Sequence, residues 1–188
     1  MKIQLVKTKK NLKTIYDIIC NNITRSIFIK LGFNFFNHLV QNNKIHIYFV
    51  KKNKKIAAVI TVINYKNYQS ITYDIFFHLI LNPHKIFLNF FELKNSIKKS
   101  SKLKLNSKYL HLLHLIIFKK NFLDLSIKKK DIIFNNLFKD ILTEHHAETL
   151  FLCFEKENIS AKKYYKRNNF KNFHKMENII YLKKYFKI

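Results

Sequence analysis

Glycine, proline, arginine and alanine are nearly missing from this chain. Its 188 residues include one glycine, Gly32, and one proline, Pro83. Arg25 and Arg167 are the only arginines among 36 basic residues, and the alanines are Ala57, Ala58, Ala147 and Ala161. The scarce residues have G/C-rich codons. The abundant ones, lysine, asparagine, isoleucine and phenylalanine, have A/T-rich codons. A coding bias therefore accounts for the formal charge of +25 without a polyanion partner. The positive potential still favours phosphate-bearing ligands and non-specific contact with nucleic acid. Lysine lacks the planar fork of arginine, so the near absence of arginine weighs against a sequence-specific base reader. No specific nucleic acid is expected as a partner.

Cysteine is also scarce. Cys20 and Cys153 lie far apart without CxxC spacing. They point to a reducing compartment and to no zinc or other metal site. The N-terminal "MKIQLVKTKKNLKTIYDIIC" lacks the apolar run and small-residue cleavage site of a signal peptide, so a cytoplasmic protein is expected. The most apolar window, residues 75–91, is interrupted by His78, Asn82, Pro83, His84, Lys85 and Asn89 and makes a poor transmembrane span.

What is present is enough for one folded domain. Hydrophobic residues make up 48% of the chain and continue in periodic segments to its end. "KIQLVKT" (2–8) alternates as a strand does. Residues 11–22 and "SIFIKLGFNFFNHLV" (26–40) read as helices, the only glycine lying inside the second. "IHIYFV" and "KIAAVITVINY" flank "KKNK" as a hairpin. Residues 72–93 read as helical with a break near Pro83, and 93–108 as a polar, basic surface loop. "YLHLLHLIIF" (109–118) and "TLFLCF" (149–154) read as strands buried on both faces. Between them lies a helix whose Ile127, Phe134, Leu137, Phe138, Ile141 and Leu142 share a face and whose N-cap is Ser126. A short helix at "SAKKYYKRNNF" and a strand at 179–186 complete an α/β (α+β) chain with a mixed sheet. Glu144-His145-His146 has a metal-like look, but adjacent residues on a loop are usually solvated, and no metal is assigned to them.

One stretch carries chemistry. In "ENISAKKYYKRNNF" (157–170), Asn158, Ala161, Tyr165 and Phe170 follow an apolar strand at offsets of zero, three, seven and twelve. This resembles the N-x-x-A-x-x-x-Y-x-x-x-G-F pattern of the GCN5-related N-acetyltransferases (GNATs), with Asn169 at the glycine position. The hairpin "IHIYFVKKNKKIAAVITV" and the closing "FHKMENIIYLKKYF" resemble other strands of that family. The helical parts resemble a bacterial branch often found beside surface-polysaccharide genes. The resemblance spans the chain and implies a single GNAT-like domain over 1–188, with a helical insertion and basic loop at about 72–108. It implies a mostly antiparallel sheet with splayed central strands and flanking helices.

The resemblance also implies an activity: direct attack of a small-molecule amine, such as an amino sugar, on the thioester of acetyl-CoA. Backbone groups of Leu115, Ile116 and Ile117 would hold the pantetheine arm in the gap between splayed strands. Asn158 would hydrogen-bond that arm, Ala161 would give it room, and Tyr165 would protonate the departing thiolate. His111 or His114 would take the amine proton. Their odd separation puts them on opposite faces of a regular strand, so at most one faces the substrate.

The family's glycine-containing phosphate loop is missing. "FKKNFLDLSIKKKDI" stands there, and the glycine pair falls near Phe122 and Asp124, near Leu125 and Ile127, or near Ser126 and Lys128. Two readings follow. In one, the helix N-terminus with Ser126, Lys128 and Lys129 still holds a pyrophosphate. In the other, Cβ atoms close the cradle and Asp124 repels the anion. That leaves a non-catalytic module binding nucleic acid or other acidic partners. A further alternative is contact of the apolar, basic segment 72–104 with an anionic membrane surface.

Overall fold

The computed structural model describes residues 3–23, 26–82, 108–175 and 178–188. Seven strands form one sheet in the order β1-β2-β3-β4-β5-β7-β6. They are β1 (Ile3–Lys7), β2 (His46–Lys52), β3 (Lys55–Asn64), β4 (Tyr109–Ile117), β5 (Thr149–Glu155), β6 (Lys171–Lys175) and β7 (Ile179–Tyr185). Every neighbouring pair is antiparallel except β4 and β5. Six α-helices lie among the described residues. They are α1 (Leu12–Asn22), α2 (Ile27–Lys30), α3 (Phe33–Gln41), α4 (Tyr68–Leu81), α5 (Ile127–Glu144) and α6 (Ile159–Arg167).

Two apolar clusters sandwich the sheet. Phe134, Leu137, Phe138, Ile141 and Leu142 of α5 and Tyr165 of α6 pack with Leu110, Leu112, Leu150 and Leu152 on one face. Ile15 and Ile19 of α1, Phe28 of α2, Phe35, Phe36 and Leu39 of α3 and Ile71 of α4 pack with Ile47, Val59, Ile63 and Ile116 on the other. Burying side chains of this size stabilises the fold by roughly 1.5–3 kcal/mol each. The single helix expected over 26–40 is two. Gly32 sits at φ 95°, ψ 169°, which a residue with a Cβ avoids, and the chain breaks there into α2 and α3. The strand β6, absent from the residue-by-residue reading, is polar and lies on the sheet edge, so it carries no alternating signature. The expected break at Pro83 and most of the basic loop at 93–108 lie outside the described residues.

One irregularity in β4 decides the geometry of the site. Thr61 pairs with His114 but Val62 pairs with Leu112, so Leu113 is an extra residue in β4. Leu110, Leu112, Leu115 and Ile117 all pack towards α5, whereas Leu113, Ile116 and Phe118 pack towards α1–α4. His111 meets Tyr68, the first residue of α4, and His114 meets Ser26, the N-cap of α2. The two histidines therefore share the α1–α4 face. The expectation of opposite faces assumed a regular strand, and the bulge overturns it.

Candidate active site

Strands β4 and β5 pair only from Tyr109↔Thr149 to Leu112↔Leu152. Beyond that point β4 continues against β3 to Ile117, while β5 continues against β7 to Glu155. The two central strands thus part company and leave a wedge between them. Phe118 donates its N–H to Ala57 O at 2.9 Å, which fixes the phase of the β3–β4 ladder. Hydrogen bonding alternates along an antiparallel strand, so Ile116 also turns its backbone groups to β3. Leu115 and Ile117 turn theirs to the wedge.

At the open end of the wedge lie the N-termini of α5 and α6. Ser126 caps α5: its hydroxyl accepts the Lys129 N–H at 3.3 Å. The N–H groups of Ile127 and Lys128 have no acceptor among the described residues, and the side chains of Lys128 and Lys129 are exposed beside them. The preceding loop makes a 3-10 turn over Lys119–Phe122 that buries Phe122 against Phe134. No described residue of this loop has positive φ, so its course needs no glycine. Asp124 is ion-paired with the nearly buried Lys52. The same ammonium donates to Asn121 O at 2.8 Å, and that bond to Lys52 holds the Asp124 carboxyl below its ordinary range.

Asn158 caps α6 through its side-chain oxygen, which accepts the Ala161 N–H at 2.9 Å. Its amide NH₂ remains as a donor. Ala161 packs partly buried against the α5-side cluster. Tyr165 is buried among Phe154, stacked at 5.7 Å, Tyr164 and Phe170. Burial raises its pKa, and the nearby thiol of Cys153 raises it further, so the phenol keeps its proton at neutral pH. Cys153 is exposed on β5, one residue past the split from β4, and also raises Tyr181. Nothing in its sequence spacing marked it as a neighbour of Tyr165; only the split of the strands does.

Both histidines are held neutral. Burial lowers His111 to about 3, with a smaller contribution from His114, and lowers His114 to about 4. His111 Nδ1 bonds the Tyr68 hydroxyl, and its ring lies 4.9 Å from that of Phe151. A cavity of about 460 Å³ opens at the end of β5, lined by Glu155, Lys156, Glu157 and Asn178. Glu144 and His145 lie elsewhere, at the C-terminal end of α5, and are engaged rather than merely solvated. Tyr48 donates to Glu144 Oε2 at 2.9 Å and lies 2.8 Å from His145 Nε2.

This fold is similar to that of solved acetyltransferases. The N-acetyltransferase PseH of Campylobacter jejuni, in complex with acetyl coenzyme A, superposes with a TM-score of 0.56 at 16% identity. That match covers 98% of this chain and 99% of PseH. The fold is that of the GCN5-related N-acetyltransferases. The PaiA N-acetyltransferase of Thermoplasma acidophilum, in complex with coenzyme A, gives 0.56 at 12% identity, covering 99% and 100% of the two chains. The spermidine N-acetyltransferase of Vibrio cholerae, in a dodecameric structure, gives 0.57 at 11%, covering 97% and 93%. No protein-family model and no curated protein sequence matches the chain. In this GNAT fold, β4 and β5 are the strands that part, and α5 and α6 are the helices that follow them. No helix among the described residues is long and apolar enough to cross a membrane.

Proposed function

We propose that the chain, as one domain over 1–188, is an acetyl-CoA-dependent N-acetyltransferase acting on a primary amine of a small molecule. The split of β4 from β5 after Leu112 and Leu152 carries the reading. An extended amide-containing arm satisfies the inward-turned backbone groups of Leu115 and Ile117 as a third strand would. Asn158 adds a donor from its NH₂. Ala161, with no side chain beyond Cβ, leaves room for the arm. The free N–H groups of Ile127 and Lys128, the α5 dipole and the exposed Lys128 and Lys129 suit a pyrophosphate. Bonding to Lys52 removes Asp124 as an obstacle, so the structure favours this reading over a closed cradle.

Tyr165, protonated at neutral pH, gives its proton to the departing thiolate, and the amine attacks the thioester directly. Of the two histidines, His111 is the base candidate, reached from the α1–α4 face. The structurally similar Vibrio cholerae enzyme is a spermidine N-acetyltransferase, which adds polyamines as a substrate class. An amino sugar is the first acceptor to try.

Isothermal titration tests the proposal. Acetyl-CoA binds at micromolar concentration if the wedge holds it, and no binding at millimolar concentration overturns the reading. With an acceptor in hand, Tyr165→Phe lowers kcat at least tenfold with little change in acetyl-CoA affinity. An unchanged kcat removes Tyr165 from the acid role.

A further inference from the structure

Past Leu152, β5 runs on with no β4 beside it. Leu150, Leu152 and Phe154 pack towards α5 and α6, and alternation turns Cys153 to the other face of the strand. Its side chain is exposed and outside any disulfide. Across the β5–β7 ladder it stands opposite Tyr181. Its neighbour along the chain, Phe154, stacks on Tyr165 at 5.7 Å. The thiol thus sits between two tyrosines at the edge of the wedge.

Both tyrosines are more than nine-tenths buried, Tyr165 at 8% exposed and Tyr181 at 5%. Neither hydroxyl bonds to a described residue. No side-chain oxygen among the described residues is sealed off without a partner, so both hydroxyls reach open space. Buried phenols are ordinarily hydrogen-bonded, and two left without a protein partner leave room for a ligand. The Cys153 thiol raises the pKa of each, which puts it within electrostatic reach of both. In the acetyl-transfer reading the sulfur of the departing CoA takes its proton from the Tyr165 hydroxyl. The thiol and the CoA sulfur therefore meet at one phenol.

We infer that Cys153 is a redox-modification site that captures the pantetheine thiol of CoA as a mixed disulfide, filling the wedge with the reaction's own product. This rests on the acetyl-transfer reading and adds a reversible block to it. The co-reactant is a small disulfide, RSSR. The Cys153 thiolate attacks one of its sulfurs, giving Cys153–S–S–R and RS⁻, which takes up the proton the thiol lost. The CoA thiolate then attacks the Cys153 sulfur, giving Cys153–S–S–CoA and a second RS⁻, which takes up the CoA proton. Two thiols are oxidised and one disulfide is reduced to two thiols. A CoA held in the wedge reaches Cys153 at an effective concentration far above that of a thiol in solution. Cys20, half-buried on α1 among the α1–α4 cluster, has no such neighbour and serves as an internal control.

The folded protein is equilibrated with bis(2-hydroxyethyl) disulfide and equal concentrations of CoA and glutathione, and its cysteine peptides are read by mass spectrometry. Cys153 carries CoA over glutathione by at least about tenfold, and shows no preference when the protein is unfolded in urea. Equal amounts of the two on folded Cys153, or the same preference at Cys20, overturn the inference. Calorimetry supplies a second readout. The treated protein loses acetyl-CoA binding and regains it with dithiothreitol, whereas treated Cys153→Ser keeps it. Equal loss in Cys153→Ser places the block elsewhere and overturns the inference too. Untreated protein that binds no acetyl-CoA is a failure of the acetyl-transfer reading itself. Untreated protein that binds acetyl-CoA, with no CoA preference at Cys153, is a failure of this inference alone.

Discussion

Asn169 shows how a single residue keeps a motif working with an unusual letter. Its φ is 60°, in the left-handed region where glycine is favoured and asparagine tolerated. Around it, Phe170 N–H bonds Tyr165 O at 3.0 Å and Asn169 N–H bonds Lys166 O at 3.1 Å. These two bonds are the Schellman ending of α6, and the Phe170 ring lies 5.0 Å from that of Tyr165 as its hydrophobic contact. The helix stop therefore also holds Tyr165 in place. Asn169→Gly is expected to be neutral or to raise stability by up to about 1 kcal/mol, while Asn169→Val costs about 1–2 kcal/mol. Urea denaturation of the two variants checks this, and equal stabilities would remove the backbone argument.

At the scale of elements, the loop from β4 into α5 is held by its own contacts rather than by glycine. Lys52 from β2 bonds both Asn121 O and Asp124, and Asn121 Nδ2 donates to Ile56 O at 2.8 Å. Lys52→Met leaves Asp124 unpaired near the free N–H groups of α5. Acetyl-CoA affinity should fall roughly tenfold, and adding Asp124→Asn should recover most of it. Calorimetry on the single and double variants decides the matter. A double variant as weak as the single one would show that Lys52 acts by shaping the loop, not by occupying the carboxylate.

For the whole molecule, buried neutral histidines set the response to acid. His46, His111 and His114 are lowered by burial to about 4, 3 and 4, against an ordinary value of 6.5. In the unfolded chain these rings take up protons near pH 6.5, and in the folded chain only near pH 3–4. Folding is therefore unaffected by them above pH 6.5 and loses stability progressively as pH falls towards 4. His114 alone contributes on the order of 3 kcal/mol of that loss. Denaturant midpoints between pH 7 and pH 4 should fall steeply, and His114→Gln should flatten part of the slope. A midpoint independent of pH over this window would contradict the burial of these rings. With a formal charge of +25, added salt should raise the midpoint at every pH by screening self-repulsion.

The linear order of residues was enough for the α5 face from Phe134 to Leu142, the β2–β3 hairpin and the Asn158–Tyr165 register. Each of these depends on contacts a few residues apart, and periodicity records such contacts directly. Gly32 was visible but its effect was not, because a glycine breaks a helix only where packing demands its φ. The pairing of His111 with His114 on one face was beyond sequence. It depends on one extra residue in β4, and β3 forces that residue out from more than forty positions away. The same holds for the contact of His114 with Ser26 and for Cys153 beside Tyr165. Their partners meet only because the sheet brings distant segments together. Sequence alone determined most of the elements and the Ser126 cap of α5, but not the break at Gly32 or the edge strand β6. Tertiary structure decided which side chains face one another, since a strand's register and bulges are set by its neighbour rather than by its own residues.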